Sequence, residues 1–183
     1  ELGIVDRTYV VFTIFMILFG TGTVLNTLGV LLATIFAGQL DDRFQRQRMQ
    51  RIIDQLEGHV IVCGYGQVGR SIVAEMDRAG KDVVIVDRKD LDVDDLPDSA
   101  ELVTGEATDD EILALAGLTR ASTLVVALDS DSDTLYVSLT ARTENDDLFI
   151  IARANSAGVV EKLGRVGVDR VVNPHEIGGS RMA

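Results

Sequence analysis

Three glycines between residues 64 and 69 have the spacing of a nucleotide-binding turn. They lie in HVIVCGYGQVGR, residues 59–70, after an apolar run typical of a buried strand and before a helical pattern. In that context Gly64 permits a tight turn, Gly66 lets the backbone approach a pyrophosphate, and Gly69 lets the helix pack closely on the sheet. The amide groups and dipole at the start of the helix favour an anion. The pattern predicts a phosphate site in preference to simple turn residues.

Asp87 adds a ribose contact to this prediction. It ends the next apolar run, DVVIVD, 23 residues after Gly64. A carboxylate there accepts hydrogen bonds from ribose hydroxyls and repels a 2′-phosphate, which favours NAD or an adenine nucleotide over NADP. Arg88, the next residue, counts against that preference. Arg70, in the first helical turn, is either a partner for phosphate charge or an exposed cation, and its position favours neither.

Residues suited to catalysis are few. A dehydrogenase needs a substrate pocket and a proton-transfer group beside the nicotinamide. The two histidines, His59 and His175, lie where structural or exposed roles are expected. Cys63, the single cysteine, lies in an apolar strand pattern that predicts a buried, unreactive thiol in a reducing compartment. We therefore expect no enzyme and no metal site.

The charge distribution argues against a nucleic-acid partner. The chain has a formal net charge of −12, whereas phosphate-backbone binding needs clustered Lys and Arg. The charge is uneven, because residues 41–51 contain four Arg and two Asp. This basic patch directly follows the most apolar stretch of the chain.

Residues 8–40 are 33 consecutive uncharged residues, too many for a signal-peptide core and enough to cross a bilayer. We predict a transmembrane helix in residues 1–40, surrounded by membrane lipid. The Arg residues that follow place the C-terminal side in the cytoplasm by the positive-inside rule. Thr23, Asn26 and Thr27 share one helical face, which predicts either contact with other helices or the wall of a water-filled cavity. One span encloses no pathway, and the chain starts at Glu1, so we expect it to be a piece of a larger protein.

The rest of the chain alternates between strand and helix patterns. Six β-branched runs are strand candidates: VIVC, DVVIVD, ELVTG, STLVVAL, LFIIAR and DRVVNP. Helical patterns separate most of them, with expected capping boxes at Thr108 with Glu111 and at Asn173 with Glu176 behind Pro174. These patterns predict an α/β fold, a Rossmann-type doubly wound parallel six-stranded sheet over residues 59–183, preceded by a basic cytoplasmic linker, residues 41–58.

Several stretches together resemble the RCK, or KTN, regulatory domain (the TrkA N-terminal type) of prokaryotic potassium channels and transporters. They are VIVCGYGQVGR, VVIVDRK, GEAT, VVALDSDSDT, IIARAN and VDRVVNPHEIGGSRMA. Residues 1–40 likewise resemble the inner, pore-lining helix of a two-helix potassium channel, with Gly20 where such helices often have a gating hinge. The resemblance implies self-association, as dimers of these domains in a gating ring on a tetrameric pore that conducts potassium ion.

The resemblance also implies the residues of a nucleotide site. The phosphate contacts would be Gly64, Gly66, Gln67, Val68, Gly69 and Arg70. Asp87, with Arg88 beside it, would lie at the ribose, and Glu106 and Ala107 near the adenosine. Arg153, at the end of the fifth strand, would face the far end of the ligand or a neighbouring subunit.

The ligand implied by the family is NAD(H) or an adenine nucleotide, ATP, ADP or AMP, acting as a regulator. Calcium-gated members carry acids where this chain has Ala127, Arg153 and Asn155, so we do not expect calcium gating there. The leading hypothesis is a fragment of a ligand-gated potassium channel subunit in the plasma (inner) membrane, with the Rossmann domain in the cytoplasm. The alternatives are the regulatory domain of a cation–proton antiporter and a membrane-anchored NAD-dependent oxidoreductase.

Overall fold

A computed structural model describes residues 2–92 and 95–173, with side chains in the first helix described for residues 7, 9–30 and 49–53. The chain forms two compact units, Glu1–Arg48 and Met49–Ala183. The helix expected to start at Pro174, with His175 and Glu176, lies outside the described residues.

The first unit is built on one long helix, α1, which runs from Leu2 to Ile53 and so continues into the second unit. Its stretch Tyr9–Val30 is long and apolar enough to cross a membrane, and none of it is buried within the protein. The Thr23 hydroxyl donates to the Phe19 carbonyl and the Thr27 hydroxyl to the Thr23 carbonyl, both at 2.8 Å. Two of the three polar groups expected on one face are therefore already paired within the helix.

The second unit contains a six-stranded parallel sheet in the order β3-β2-β1-β4-β5-β6. Its strands are β1 (Val60–Cys63), β2 (Val83–Asp87), β3 (Ala100–Thr104), β4 (Thr123–Val126), β5 (Phe149–Arg153) and β6 (Arg170–Val172). The helices are α2 (Gln67–Arg78), α3 (Asp110–Leu115), α4 (Asp131–Glu144) and α5 (Ala157–Arg165). The predicted doubly wound Rossmann-type sheet is confirmed.

Alternate residues of the strands fill two separate cores, one on each face of the sheet. Ile61 and Leu124 belong to the core that also contains Leu113 of α3 and Val137 of α4. The other core contains Val73 of α2 together with residues such as Val62 and Ile85. The strands carry near-continuous apolar runs because both faces are covered.

The capping box predicted at Thr108 with Glu111 is wrong by one residue. The N-cap of α3 is Asp109, whose carboxylate accepts the Glu111 backbone N–H at 3.0 Å. A carboxylate suits this position because it also interacts favourably with the positive end of the helix dipole. The helix is shorter than its pattern indicates, since the chain turns at Gly117 with φ +76°.

The segment predicted as a linker, residues 41–58, does not form a separate element. Helix α1 continues to Ile53, and the second unit starts at Met49. Ile53 is fully buried, and Met49 and Leu56 pack against the same core. The last turn of α1 therefore belongs to the Rossmann domain.

Candidate functional site

The glycine turn lies where the carboxyl ends of the three central strands meet. Gly64 follows β1 directly, and its N–H donates to the Val86 carbonyl of β2 at 2.8 Å. Gly64 has φ +95°, and a Cβ there would lie 2.9 Å from the Ala127 carbonyl oxygen just beyond β4. Strands β2 and β3 lie on one side of β1, and strands β4, β5 and β6 lie on the other. The turn after β1 is therefore at the topological switch point, which is where open α/β sheets bind ligands.

The other two glycines of the turn have different surroundings. A Cβ on Gly69 would lie 1.9 Å from the Gly64 carbonyl oxygen, so the close approach of α2 to the turn requires glycine. Gly66 is the N-cap of α2 with φ −75°, and a Cβ there would have no heavy atom within 4 Å. Gly69 is thus explained by packing, whereas Gly66 borders open space beside the helix N-terminus.

Asp87 is held against this turn by two backbone groups. Its Oδ2 accepts the Tyr65 N–H at 2.6 Å, and its Oδ1 accepts the Lys89 N–H at 2.9 Å. The half-buried carboxylate is therefore fixed beside the glycine turn, with further lone pairs available on both oxygens. Such a carboxylate can accept hydrogen bonds from a vicinal diol.

The Arg70 side chain packs against Tyr65 of the glycine turn. Its guanidinium lies 5.3 Å from the centre of the Tyr65 ring, and its Nε donates to the Tyr65 carbonyl at 3.3 Å. An adjacent cavity of about 340 Å³ is lined by Tyr65, Arg70, Leu91, Asp92, Asp95 and Leu96. Tyr65 and the leucines of this cavity are not among the residues predicted from the sequence. Its only sequence signal is an aromatic residue between two glycines of the motif.

The remaining predicted contacts belong to the start of α2 and to the loop after β3. Gln67, the first residue of α2, is exposed and Val68 is half-buried. Beyond β3, Ala107 is buried, and the Glu106 carboxylate lies 3.7 Å from the guanidinium of Arg88. Arg88 immediately follows Asp87, so this ion pair joins the loops after β2 and β3.

Arg153 is placed differently from the other predicted site residues. Its guanidinium contacts the Asp129 carboxylate at 2.9 Å, in the loop after β4, and not the turn after β1. Beside it Asp131 accepts the Asn155 N–H and the Ser156 hydroxyl, each at 2.8 Å, and these bonds lower the pKa of Asp131. This network ties the β4–α4 and β5–α5 loops together.

The histidine and cysteine that the structure describes are buried structural groups. Burial raises the pKa of Cys63 to about 12, so the thiol stays protonated, and the predicted inert core thiol is confirmed. His59 is 2 % exposed, and its Nε2 lies 2.9 Å from the Ala116 carbonyl oxygen. Burial lowers the pKa of His59, the Arg120 cation lowers it further, and the Ala116 hydrogen bond and Asp82 oppose that shift. Among the described residues no group of three His, Cys, Asp or Glu is placed to hold a metal ion.

Curated relatives of this chain include potassium transport proteins. Potassium channel protein 1 of Methanocaldococcus jannaschii is 31% identical over 167 residues, covering 90% of this chain and 50% of its own length. The potassium-efflux system protein KefC of Salmonella arizonae is 29% identical over 117 residues, covering 63% of this chain and 19% of its own length. The chain spans about half the length of the channel relatives it matches.

Solved structures of the GsuK channel share the fold. The structure of GsuK bound to ADP is 29% identical with a TM-score of 0.61, covering 75% of this chain and 37% of that chain. GsuK bound to NAD is 25% identical with a TM-score of 0.55, covering 65% of this chain and 22% of that chain. The family model of the TrkA-N domain matches residues 60–174. With this match added to the parallel sheet and its glycine turn, the chain belongs to the TrkA-N domain family, and it is homologous to the RCK domains of potassium channels.

Proposed function

We propose that this chain is the inner helix and regulatory domain of a potassium channel subunit, and that its Rossmann domain senses an adenine nucleotide or NAD(H). The nucleotide binds at the carboxyl edge of the sheet, with its phosphates at Gly66 and the start of α2 and its ribose at Asp87. The domain lies in the cytoplasm and associates with copies of itself around a pore.

One observation carries the ligand assignment. The Asp87 carboxylate accepts two backbone N–H groups, one from the glycine turn itself, at 2.6 and 2.9 Å. The carboxylate is therefore preorganised as an acceptor beside the turn in which Gly66 borders open space. GsuK, a relative with the same fold, binds ADP and NAD.

The channel assignment is favoured by how far the relatives match. The match to the Methanocaldococcus channel extends over 167 residues, more than the second unit, residues 49–183, contains. It therefore includes part of the first unit, which holds the apolar stretch Tyr9–Val30. The match to KefC, at 117 residues, is short enough to lie within the Rossmann domain alone.

Arg120 is the residue through which we expect the domain to act on α1. Its guanidinium donates to the Ile53 carbonyl at 3.2 Å and to the Leu56 carbonyl at 3.3 Å, and it lies 3.9 Å from the Asp54 carboxylate. A cation at the C-terminus of a helix pairs its free carbonyls and complements its dipole. The last turn of α1 thus follows any rearrangement of the domain.

The ligand assignment is tested by thermal unfolding of the whole chain in lipid nanodiscs with AMP, ADP, ATP, NAD, NADH and NADP. A ligand at 100 times its Kd adds about 2.7 kcal/mol, which raises the Tm by about 5–10 °C. We expect a shift with at least one ligand that lacks a 2′-phosphate, and the loss of that shift in Asp87→Asn. Asp147→Asn, an exposed Asp just before β5, is the matched control. Equal ligand-induced shifts in wild type and Asp87→Asn, or no shift with any ligand, contradict the assignment.

The alternative of an antiporter regulatory domain rests on the antiporter relatives, which match a smaller part of the chain. The gene sequence upstream of Glu1 distinguishes the two. A filter signature of the TVGYG type just before Glu1 supports the channel, and a series of further apolar spans supports the antiporter. A membrane-anchored oxidoreductase requires hydride transfer from bound NADH, which is measured directly by the loss of nicotinamide absorbance.

A further inference from the structure

The ribose edge of the candidate site carries an unused cation. Arg88 follows Asp87 directly, and a guanidinium at this position can donate hydrogen bonds to the 2′-phosphate of an NADP-type ligand. Its side chain is 75% exposed, so burial does not restrain it. The acid at Asp87 and the base at Arg88 therefore give opposite expectations for 2′-phosphorylated ligands.

Glu106 offsets the positive charge of Arg88. Its carboxylate lies 3.7 Å from the Arg88 guanidinium and is itself 60% exposed. Glu106 comes from the loop after β3, and the Thr104 hydroxyl at the end of β3 donates a 3.4 Å hydrogen bond to Asp90 in the segment after β2. An ion pair as exposed as this one contributes little to the free energy of folding. The Glu106 carboxylate is therefore available for a role in ligand binding.

We propose that Glu106 is a specificity-determining residue that holds and neutralises Arg88, so that the site rejects nucleotides carrying a 2′-phosphate. This inference rests on the proposed nucleotide function. Asp87 repels the 2′-phosphate directly, and Glu106 neutralises the guanidinium of the adjacent Arg88, which could otherwise compensate. Lys89, Asp90 and Asp92 lie in the same segment, so its remaining charges add no net positive charge beside the ribose.

The pair is tested by a binding cycle on the whole chain with two probes, AMP and adenosine 2′,5′-bisphosphate. Both affinities are measured with Asp87 in place, because loss of this carboxylate is expected to abolish nucleotide binding altogether. We expect Glu106→Gln to raise the affinity for the bisphosphate relative to that for AMP by about tenfold, because the freed Arg88 guanidinium then contacts the 2′-phosphate. Glu111→Gln, an exposed Glu in α3 with the same charge change, is the control.

Arg88→Gln identifies the group that responds. Adding it to Glu106→Gln should remove the tenfold gain in the affinity ratio, because the 2′-phosphate then has no freed guanidinium to contact. A gain that survives Arg88→Gln, or an equal gain from Glu111→Gln, reflects bulk charge and overturns the inference. An unchanged ratio of bisphosphate to AMP affinity in the Glu106→Gln variant overturns it as well.

The same measurements separate this inference from the function on which it rests. Wild-type binding of AMP or NAD that depends on Asp87, with no effect of Glu106→Gln, overturns the role of Glu106 and leaves the nucleotide site standing. A wild-type chain that binds neither AMP nor NAD overturns both.

Discussion

Gly66→Ala separates the glycine that faces a ligand from the glycine that shapes the fold. A Cβ at Gly66 has no heavy atom within 4 Å, and the φ of −75° is open to any residue. A Cβ at Gly69 falls 1.9 Å from the Gly64 carbonyl oxygen, a backbone atom that cannot move aside cheaply. The same added methyl group therefore has opposite expected effects three residues apart.

The magnitudes follow from these surroundings. At Gly66 the weaker N-cap costs about 0.5–1 kcal/mol, and the stiffer unfolded chain returns about 0.4–1 kcal/mol. The net change in the free energy of unfolding is within about 1 kcal/mol, or about 4 °C in Tm. At Gly69 the overlap forces backbone movement, with a cost of about 3 kcal/mol or more. At Gly66 the methyl group instead fills the space through which the backbone approaches a phosphate, and we expect nucleotide affinity to fall at least about tenfold.

The assay measures urea unfolding and AMP, ADP and NAD binding for each variant of the whole chain. Gly164→Ala, in an exposed part of α5 with no heavy atom within 4 Å of the new Cβ, is the matched control for the substitution itself. Normal stability with lost binding in Gly66→Ala supports the site. Normal stability with unchanged binding refutes the assignment of phosphate to Gly66, and a Gly69→Ala variant as stable as wild type refutes the packing argument.

Three further predictions concern the framework of the domain. Arg120→Gln loses a charged donor to two backbone carbonyls at the end of α1, and should lower the free energy of unfolding by about 1–3 kcal/mol in urea titrations. Because burial holds the pKa of His59 below its usual 6.5, the unfolded chain binds the proton more readily. His59 therefore destabilises the fold as the pH falls through and below about 6.5, and His59→Gln, which can still donate to Ala116, should flatten that part of the stability profile measured between pH 7.5 and 5.5. Arg142→Leu removes a half-buried guanidinium and its 2.9 Å ion pair with Asp169 and should cost about 1–3 kcal/mol, whereas Arg78→Leu, in an exposed pair, should cost less than about 1 kcal/mol in the same titration.

The sheet was predictable from the sequence because its strands are buried on both faces. Burial of both faces requires continuous β-branched runs, and each observed strand lies within a predicted run to within one residue. Helix boundaries were less predictable, since Thr108 and Asp109 are both good N-caps and only the folded geometry selects Asp109. The continuation of α1 to Ile53 could have been predicted, because Met49, Ile53 and Leu56 form an apolar stripe at helical spacing. The many Arg residues of this segment instead favoured its interpretation as a linker.

The geometry around the glycine turn could be predicted where it follows from sequence patterns, and not where loops from different strands pair. The glycine spacing is a local pattern, and Asp87 ends an apolar run whose carboxyl end meets that of β1 in a parallel sheet, where it accepts the Tyr65 N–H. The pairing of Arg88 with Glu106 joins loops from two different strands. The cavity beside Tyr65 and Arg70 likewise forms only because the segment after β2 lies next to the glycine turn. The pattern of apolar residues in the sequence does not predict that contact.

In the proposed function, the contacts of Arg120 limit how nucleotide binding can act on α1. A ligand that prefers one state of the domain tenfold supplies about 1.4 kcal/mol per site, whereas each hydrogen bond to a charged group contributes about 1.5–3 kcal/mol. A tenfold preference at one site is therefore too weak to break the Arg120 contacts, and at that preference the last turn of α1 should move together with the domain. Deleting residues 41–58 would also remove Ile53 from the core, so a lost ligand response in that variant would reflect damage to the fold. Arg120→Gln is the sharper perturbation: retained nucleotide binding with a weakened gating response supports coupling through this contact, and an unchanged gating response rejects it.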